Sequence, residues 1–128
     1  IKMFEIILAS KSKVREEILK KNNFTCNVQP SNVDEEPVKE SLIKEGATPE
    51  IISKNLAELK ANKVSNKFHD VIVLGADSVI DLDGELISKP QNRNEALNIL
   101  KKLITQELFY QVLALVLFVG LNGYLQIL

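Results

Sequence analysis

The start of the chain places a short apolar run before an amphipathic stretch. Met3 to Ala9 form a β-prone run that hydroxyl and charged residues interrupt. From Lys13 to Asn22 the apolar residues recur on one helical face, and Ser12 is a favoured N-cap in front of them. The pattern predicts a strand, a loop and a helix. The apolar face of that helix consists of Val14, Ile18 and Leu19.

The next stretch predicts a second strand, an acidic loop and a long helix. Phe24 to Val28 alternate weakly, as in a strand, whereas Pro30 to Glu40 are polar, acidic and interrupted by proline, as in a loop. Thr48-Pro49-Glu50 combine an N-cap, a proline at the first helical position and an early acid, so a helix is expected from there to about Val64. One side of it would carry Ile52, Leu56, Leu59 and Lys63.

The following stretch predicts a buried strand, a hairpin and a helix. Val71 to Leu74 form a continuous apolar run, and Gly75-Ala76-Asp77-Ser78 would end that strand with a carboxylate. Asp83-Gly84 predicts a tight turn within Val79 to Ser88. Asn92 would cap a helix from about Arg93 to Leu103. Its predicted buried stripe is Ala96, Leu97, Leu100 and Leu103.

The stretch from Leu108 to Leu128 contains no charged residue and has two interpretations. It is long enough to cross a bilayer, which would suit a membrane-tethered interaction protein. However, polar residues interrupt it, and no Lys or Arg flanks its outer end. Asn122-Gly123 favours a hairpin between Phe109 to Val119 and Tyr124 to Ile127. We therefore expect a buried hairpin and no membrane partner.

Composition narrows the function classes. For 128 residues and 14.3 kDa, roughly two thirds of the surface is expected to be buried, enough for a single domain over residues 1–128. A formal net charge of -1 argues against a protein that coats nucleic acid. The single cysteine, Cys26, fits a reducing compartment, and no signal peptide is recognisable. We therefore expect a cytoplasmic protein.

Ser10, Ser12 and Arg15 stand between the first strand and the first helix and predict an anion site. A helix N-terminus offers unpaired N–H groups to phosphate, and an arginine can add bidentate contacts. These three residues also fit a simple serine-capped surface helix. Taken alone, they leave both interpretations open.

Four further charged residues each have a chemical and a structural interpretation. Asp77 would serve a ligand beyond a strand end or cap a turn. Lys60 lies on the apolar side of its helix, where it would point into a cleft or extend its ammonium to solvent. Glu35 would belong to a site or to a solvated acidic loop. Lys89 is held extended by the following proline, but a lysine after a hairpin is common.

Two other residues are of reactive types, but their surroundings in the sequence do not favour a catalytic role. His69 is next to Asp70, as a catalytic triad would need, but a single histidine in a loop is typically solvated. Cys26 is interpreted as a core strand residue rather than a nucleophile, because no activating base is evident near it.

Five ordered segments of the chain resemble the Maf family of septum-formation-inhibitor-like nucleotide pyrophosphatases. They are Ile7-Leu8-Ala9-Ser10-x-Ser12-x-x-Arg15, Val33-Asp34-Glu35, Leu56-Ala57-x-x-Lys60-Ala61, Gly75-Ala76-Asp77-Ser78-Val79 and Asp83-Gly84-Glu85-x-x-x-Lys89-Pro90. The resemblance covers about residues 3–103. It implies an α/β fold, a Maf-like (ITPase-like) mixed sheet with flanking helices and a central cleft, and a homodimer.

The resemblance also implies an enzyme, a hydrolase acting on acid anhydrides. Nucleoside triphosphates, including modified nucleotides, would yield monophosphate and pyrophosphate with a divalent cation, Mg²⁺ or Mn²⁺. Asp77 would be catalytic, and Glu35 and Asp77 would hold the metal. The expected substrate-binding residues are Ser10, Ser12, Arg15, Lys60 and Lys89. The alternative is a catalytically impaired Maf remnant that only binds nucleotide.

Two features depart from the family's pattern. Val14, beside the arginine, and Ser78, after the aspartate, match neither the pyrimidine-preferring nor the methylguanosine-preferring subgroup. After Leu103, residues 104–128 lose the family's expected histidine and threonine-containing strand. The resemblance therefore predicts an altered or truncated C-terminus, for which a frameshift is one hypothesis, and weaker activity.

Overall fold

The structure is a computed structural model that describes residues 4–105, 112–119 and 123–127. Its elements are β1 (Phe4–Leu8), α1 (Lys13–Lys21), β2 (Phe24–Val28), α2 (Glu35–Lys44), α3 (Pro49–Ser65), β3 (Ile72–Leu82), β4 (Glu85–Ile87), α4 (Arg93–Thr105), β5 (Val112–Val119) and β6 (Gly123–Ile127). The described strands form one sheet in the order β2-β1-β3-β5-β6, with β4 paired to β3. The predicted α/β class with a mixed sheet is confirmed.

The centre of the sheet changes from parallel to antiparallel pairing along β3. β1 pairs in parallel with β3 as far as Leu8 opposite Leu74. Beyond that point β3 pairs antiparallel with β5, and its far end, from Ile80, pairs antiparallel with β4. The loop that follows β1 therefore starts beside the point at which the second half of β3 starts.

Helix α3 packs closely against β3 because small residues face each other. Gly75 is buried, and a Cβ added there would lie 2.8 Å from the Cβ of Ala61 and would also collide with the carbonyl oxygen of Ala57. Glycine is therefore required for this approach. The buried residues of α3 are Pro49, Ile52, Ser53, Leu56, Ala57, Lys60, Ala61 and Val64.

The prediction that a strand ends at Gly75 is wrong. β3 continues through Gly75 and Asp77 to Leu82, because β5 supplies a pairing partner from Leu74 to Asp81. The glycine admits the helix rather than breaking the strand. Asp77 therefore lies within a strand and not at its terminus, although it lies beyond the last residue of β1 that pairs with β3.

The prediction of a loop from Pro30 to Glu40 is correct only as far as Asp34, because α2 begins at Glu35. Asp34 occupies its N-cap position, and Glu35 and Glu36 lie in the first turn, where acidic side chains are favourable. Pro37 falls in the same turn, where a missing backbone N–H costs no helical hydrogen bond. A proline-containing acidic segment is therefore compatible with a helix start.

The predicted buried stripes of the helices are only partly correct. Ile52 and Leu56 are buried, but Leu59 and Lys63 of α3 are exposed. On the predicted apolar faces of α1 and α4, Val14, Ile18, Leu97 and Leu100 are exposed, whereas Leu19 and Ala96 are half-buried. The side chain of Leu103 lies outside the described part. Periodicity identifies an apolar face, but burial requires an element that covers it.

The predicted Asp83-Gly84 hairpin and the antiparallel pairing of the two predicted C-terminal strands are present, whereas the predicted burial of those two strands lies outside the described part. Asp83 and Gly84 have φ of +49° and +87°, as a type I′ turn requires, and Gly84 N–H donates to Asp81 Oδ1 at 2.7 Å. β5 pairs antiparallel with β6, with Val119 opposite Gly123, whereas residues 109–111 and 122 of the prediction lie outside the described part. Within residues 4–105, 112–119 and 123–127, no helix is long and apolar enough to span a membrane.

Candidate active site

The loop after β1 is folded around the buried hydroxyl of Ser10. Ser10 Oγ accepts from the backbone N–H of Ser12 at 3.1 Å and from Nη1 of Arg15 at 3.0 Å. Ser12 caps α1, since its hydroxyl accepts from the backbone N–H of Arg15 at 3.3 Å. Ser12 therefore caps the helix, and Ser10, Ser12 and Arg15 also cluster in one loop, so the two interpretations of these residues are compatible.

Arg15 connects this loop to β3. Its Nη1 also donates to the carbonyl oxygen of Ala76 at 3.1 Å, and its Nη2 donates to Ser78 Oγ at 3.0 Å. Burial lowers the pKa of the Arg15 guanidinium, while the nearby carboxylates of Asp77 and Glu35 oppose that change. An arginine remains protonated in proteins, so a fixed positive charge lies beside Asp77.

Lys60 joins three elements at one buried point. Its Nζ lies 2.8 Å from Asp77 Oδ1 on β3 and 2.8 Å from Glu35 Oε1 on α2. Lys60 is 8% exposed and Asp77 is 6% exposed. The lysine therefore does not extend its ammonium to solvent. It is bound between two carboxylates, which offset the cost of burying its charge.

Glu35 is surrounded by lysines. Burial by itself would raise the pKa of Glu35, but the hydrogen bond from Lys60 and the charges of Lys60, Lys39 and Lys89 outweigh it, so the pKa lies below its ordinary value. Lys39 Nζ lies 3.8 Å from Glu35 Oε2 and 3.5 Å from Glu36 Oε1. Sequence reasoning missed Lys39. Its position four residues after Glu35 on one helix is the signal that could have found it.

Two adjoining cavities open around this cluster. The loop cavity, of about 400 Å³, is lined by Ser10, Lys11, Ser12, Arg15, residues 30–33, Glu35, Lys60 and Lys89. The hairpin cavity, of about 620 Å³, is lined by Arg15, Glu35, Glu36, Lys39, Lys60, residues 77–80, residues 86–91, Glu95 and Ile99. Arg15, Glu35, Lys60 and Lys89 line both. All the sequence-predicted site residues therefore line one continuous region, although Lys89 itself is exposed.

The two residues set aside from chemistry lie elsewhere. His69 is exposed, in the segment between α3 and β3. Cys26 is free and half-buried on β2, where burial raises the pKa of its thiol. Neither residue lines the two cavities.

Comparison of the sequence with known proteins identifies the family to which the chain belongs. The family model described as Maf-like protein matches residues 5–121. This chain belongs to the Maf family. The matched range includes the ordered segments that carry Ser10, Glu35, Lys60, Asp77 and Lys89, and these residues line the two cavities.

Curated Maf-like relatives are named as pyrophosphatases. A "Nucleoside triphosphate pyrophosphatase" of Pelagibacter ubique is 70% identical over 99 residues, covering 77% of this chain and 51% of the relative. A "dTTP/UTP pyrophosphatase" of Pelotomaculum thermopropionicum is 38% identical over 101 residues, covering 79% and 50%. A "7-methyl-GTP pyrophosphatase" of Brucella abortus is 35% identical over 99 residues, covering 77% and 50%. The chain thus spans about half the length of these relatives.

Proposed function

We propose that this Maf-family chain carries the nucleotide site of a nucleoside triphosphate pyrophosphatase, which forms a monophosphate and pyrophosphate. The observation that carries the proposal is the position of Lys60 between Asp77 and Glu35, where the two cavities meet. The names of the relatives support the same reaction class with different bases.

The cationic side chains suit a polyphosphate. Arg15, Lys60 and Lys89 line both cavities, and α1 begins directly after the Ser10 loop. Charges fixed in this way position the phosphates and stabilise the negative charge that develops as the anhydride bond breaks. The serine hydroxyls and the N-terminus of α1 add hydrogen-bond donors to the same region.

Asp77 is the proposed proton acceptor. A water would attack the α-phosphorus, its proton would pass to a carboxylate oxygen of Asp77, and the bond between the α-phosphorus and the bridging oxygen would break to release pyrophosphate. Lys60 holds Oδ1 of Asp77 at 2.8 Å and so fixes the orientation of the carboxylate. Arg15 is close enough for its charge to interact with that of Asp77.

The donor set fits a hard divalent cation bound together with the substrate. Within the described residues no group of three or more His, Cys, Asp or Glu could hold a metal ion. Lys60 contacts Oδ1 of Asp77 and Oε1 of Glu35, which leaves Oδ2 of Asp77 and Oε2 of Glu35 for a cation, although Oε2 also lies 3.8 Å from Lys39 Nζ. Mg²⁺ and Mn²⁺ prefer oxygen ligands, and Mg²⁺ is commonly held by one or two carboxylates with phosphate and water. Such a cation would neutralise phosphate charge.

Two further parts of the proposal concern the whole protein. A cytoplasmic location is supported by the free thiol of Cys26. A homodimer is supported by exposed apolar side chains on α1 and α4, among them Ile18 and Leu100. A fractionation experiment and light scattering, respectively, test these two statements.

The decisive experiment measures pyrophosphate release from a panel of canonical and modified triphosphates with Mg²⁺ or Mn²⁺. We expect the wild-type protein to release pyrophosphate. In Asp77→Asn we expect kcat to fall by about 10²-fold to 10⁴-fold, because general-base catalysis contributes factors of that size. Asp83→Asn is the matched control, since Asn is equally suited to the hairpin turn. Nucleotide binding without pyrophosphate release would instead establish the alternative, a catalytically impaired Maf remnant.

A further inference from the structure

Lys63 makes a tertiary contact outside the two cavities. The predicted apolar side of α3 includes Lys63, but the residue is exposed. Its Nζ donates to the backbone carbonyl oxygen of Asn32 at 2.9 Å, across 31 positions of the chain. Asn32 has φ of +50° and lies between β2 and α2, in the segment that lines the loop cavity. Lys63 therefore contacts the wall of the candidate site without lining either cavity.

Lys60 and Lys63 hold the same segment at two points. The two lysines are three residues apart on α3, so they lie on one face of the helix. Their partners, Asn32 and Glu35, are also three residues apart in the chain. Lys60 contacts the later partner, Glu35, at 2.8 Å, and Lys63 contacts the earlier one. The segment thus runs along α3 in the opposite direction, and we call Lys60 and Lys63 the α3 lysine pair.

The start of α2 is poorly fixed by its own residues. No residue of α2, which is described throughout, is buried. Asp34 occupies the N-cap position, but in the described structure its side chain forms no capping hydrogen bond. Before the segment, the backbone N–H of Gln29 donates to the carbonyl oxygen of Leu8 at 2.9 Å. Between that bond and α2, the position of the backbone depends on contacts such as those of the α3 lysine pair.

We propose that Lys63 is a positioning residue, which holds the segment before α2 so that Glu35 reaches Lys60 and faces the candidate site. The inference rests on the proposed function and adds a residue that touches neither the substrate nor the metal. A carbonyl oxygen only accepts hydrogen bonds, so the contact needs a donor that extends from α3 to the segment. The ammonium of Lys63 supplies that donor.

Lys63 also has a purely structural interpretation, which the experiment must separate from positioning. It lies in the last turn of α3, where a positive charge stabilises a helix in any case. Lys67 lies four residues later, is exposed and carries the same charge near the same helix end. It does not line the cavities of the described structure. Lys67→Met is therefore the matched control for the loss of one charge.

Steady-state kinetics of pyrophosphate release provide the first test. Lys63→Met should lower kcat by about tenfold, because a displaced reacting group can cost up to about 10²-fold in rate. KM should change by less than about twofold, since Lys63 touches no substrate. Lys63→Arg should restore most of the rate, because a guanidinium can also donate to a carbonyl oxygen. An equal loss in Lys67→Met, or no rescue by Lys63→Arg, would overturn the proposal.

A double variant tests whether Lys63 acts through Glu35. When Glu35→Gln is already present, adding Lys63→Met should lower the remaining kcat by less than about twofold, because residues that act through one another are not additive. Losses that multiply would show that Lys63 acts elsewhere and would contradict the proposed role.

Hydrogen exchange of the backbone amides needs no activity. In Lys63→Met the amides of α2 should exchange about threefold faster or more, because one hydrogen bond that anchors the helix start is lost. Exchange in β3 should match wild type, as should exchange in α2 of Lys67→Met. Faster exchange in α2, in a chain whose wild type releases no pyrophosphate, would support the anchoring contact and refute the proposed function. Pyrophosphate release with unchanged exchange in α2 would support the function and overturn the inference about Lys63.

Discussion

The α3–β3 seam, where Gly75 meets Ala57 and Ala61, differs sharply from the outer helices α1 and α4. In the seam a lysine is 8% exposed, whereas Ile18 of α1 is 55% exposed and Leu100 of α4 is 53% exposed. The charged site is thus more deeply enclosed than much of the apolar surface. The comparison teaches that close backbone approach, rather than hydrophobicity, determines which helix buries a charged residue of the candidate site.

The seam has a direct consequence for the site. Close packing of α3 on β3 brings Lys60 to 2.8 Å from Asp77, and the same lysine contacts Glu35 from α2. Burying two carboxylates and a lysine costs free energy unless each charged group has a partner of opposite charge. Ile18 and Leu100 on the outer helices have no comparable constraint within one chain, because their side chains are exposed.

Among changes at the candidate site, the largest effect on stability is expected for Lys60→Met. This change leaves buried Asp77 without its closest cation. Breaking a buried ion pair typically costs at least about 3 kcal/mol. We expect a loss at this lower end of the range, because the charge of Arg15 remains near Asp77. Urea unfolding at pH 7 measures the free energy of unfolding. Lys39→Met is the matched control, since its longer ion pairs on α2 predict a loss below about 1 kcal/mol. Similar losses in the two variants would contradict the difference between seam and surface.

A smaller effect is expected for Gly75→Ala, which tests the close approach itself. The added methyl must displace α3, and overpacking of this kind costs about 1 to 3 kcal/mol. The nucleotide hydrolysis that we propose should also fall, because Lys60 moves with the helix. Gly46→Ala separates backbone strain from packing, since Gly46 has φ of +78° and open space around it. It should lower stability but leave kcat unchanged; a normal kcat in Gly75→Ala would refute the link between seam and site.

The pH dependence of stability provides a more local test. The lysines around Glu35 hold its pKa below the ordinary value, so its ionised form contributes stability that is complete above about pH 4.3 and is lost as pH falls through the lower folded pKa. Glu35→Gln should therefore lose less stability than wild type in that window. Glu36→Gln, whose carboxylate does not contact Lys60, should keep the wild-type slope. A Glu35→Gln profile parallel to wild type would show that the lysines do not favour the ionised form.

The smallest effects are expected on the outer helices. At protein concentrations too low for the proposed homodimer to form, Ile18→Lys and Leu100→Lys should each change the free energy of unfolding by no more than about 0.5 kcal/mol, because both side chains are exposed in the single chain. Leu56→Ala in α3 should cost about 2 to 5 kcal/mol by comparison, since Leu56 is fully buried. Thermal unfolding at two protein concentrations would measure the difference. A large, concentration-dependent loss for Ile18→Lys would indicate that a second copy covers α1.

Local signals in the sequence determined where most elements begin and turn. Ser12, Thr48 and Asn92 each cap the predicted helix through a hydrogen bond to a backbone N–H three residues later. Asp83-Gly84 forms the predicted turn. These features could be predicted because all the interacting atoms lie within a few residues of one another.

The sequence also determined which residue types the candidate site contains, since the ordered segments that resemble the family include Ser10, Arg15, Glu35, Lys60, Asp77 and Lys89. It did not determine their contacts. Taken alone, Lys60 was compatible with an ammonium in solvent and Glu35 with a solvated loop, and Asp77 was predicted at a strand end. Each of these outcomes depended on partners that are distant in the chain.

Tertiary structure alone decided that β3 runs through Gly75, that α3 is the buried helix, and that Lys60 lies between two carboxylates. Helical periodicity in α1 and α4 indicated an apolar face correctly but could not show whether another element covers it. The physical reason is that burial and ion pairing are properties of the assembled layers. A cap or a turn is complete within one segment, whereas the Lys60 cluster exists only when α2, α3 and β3 have packed together.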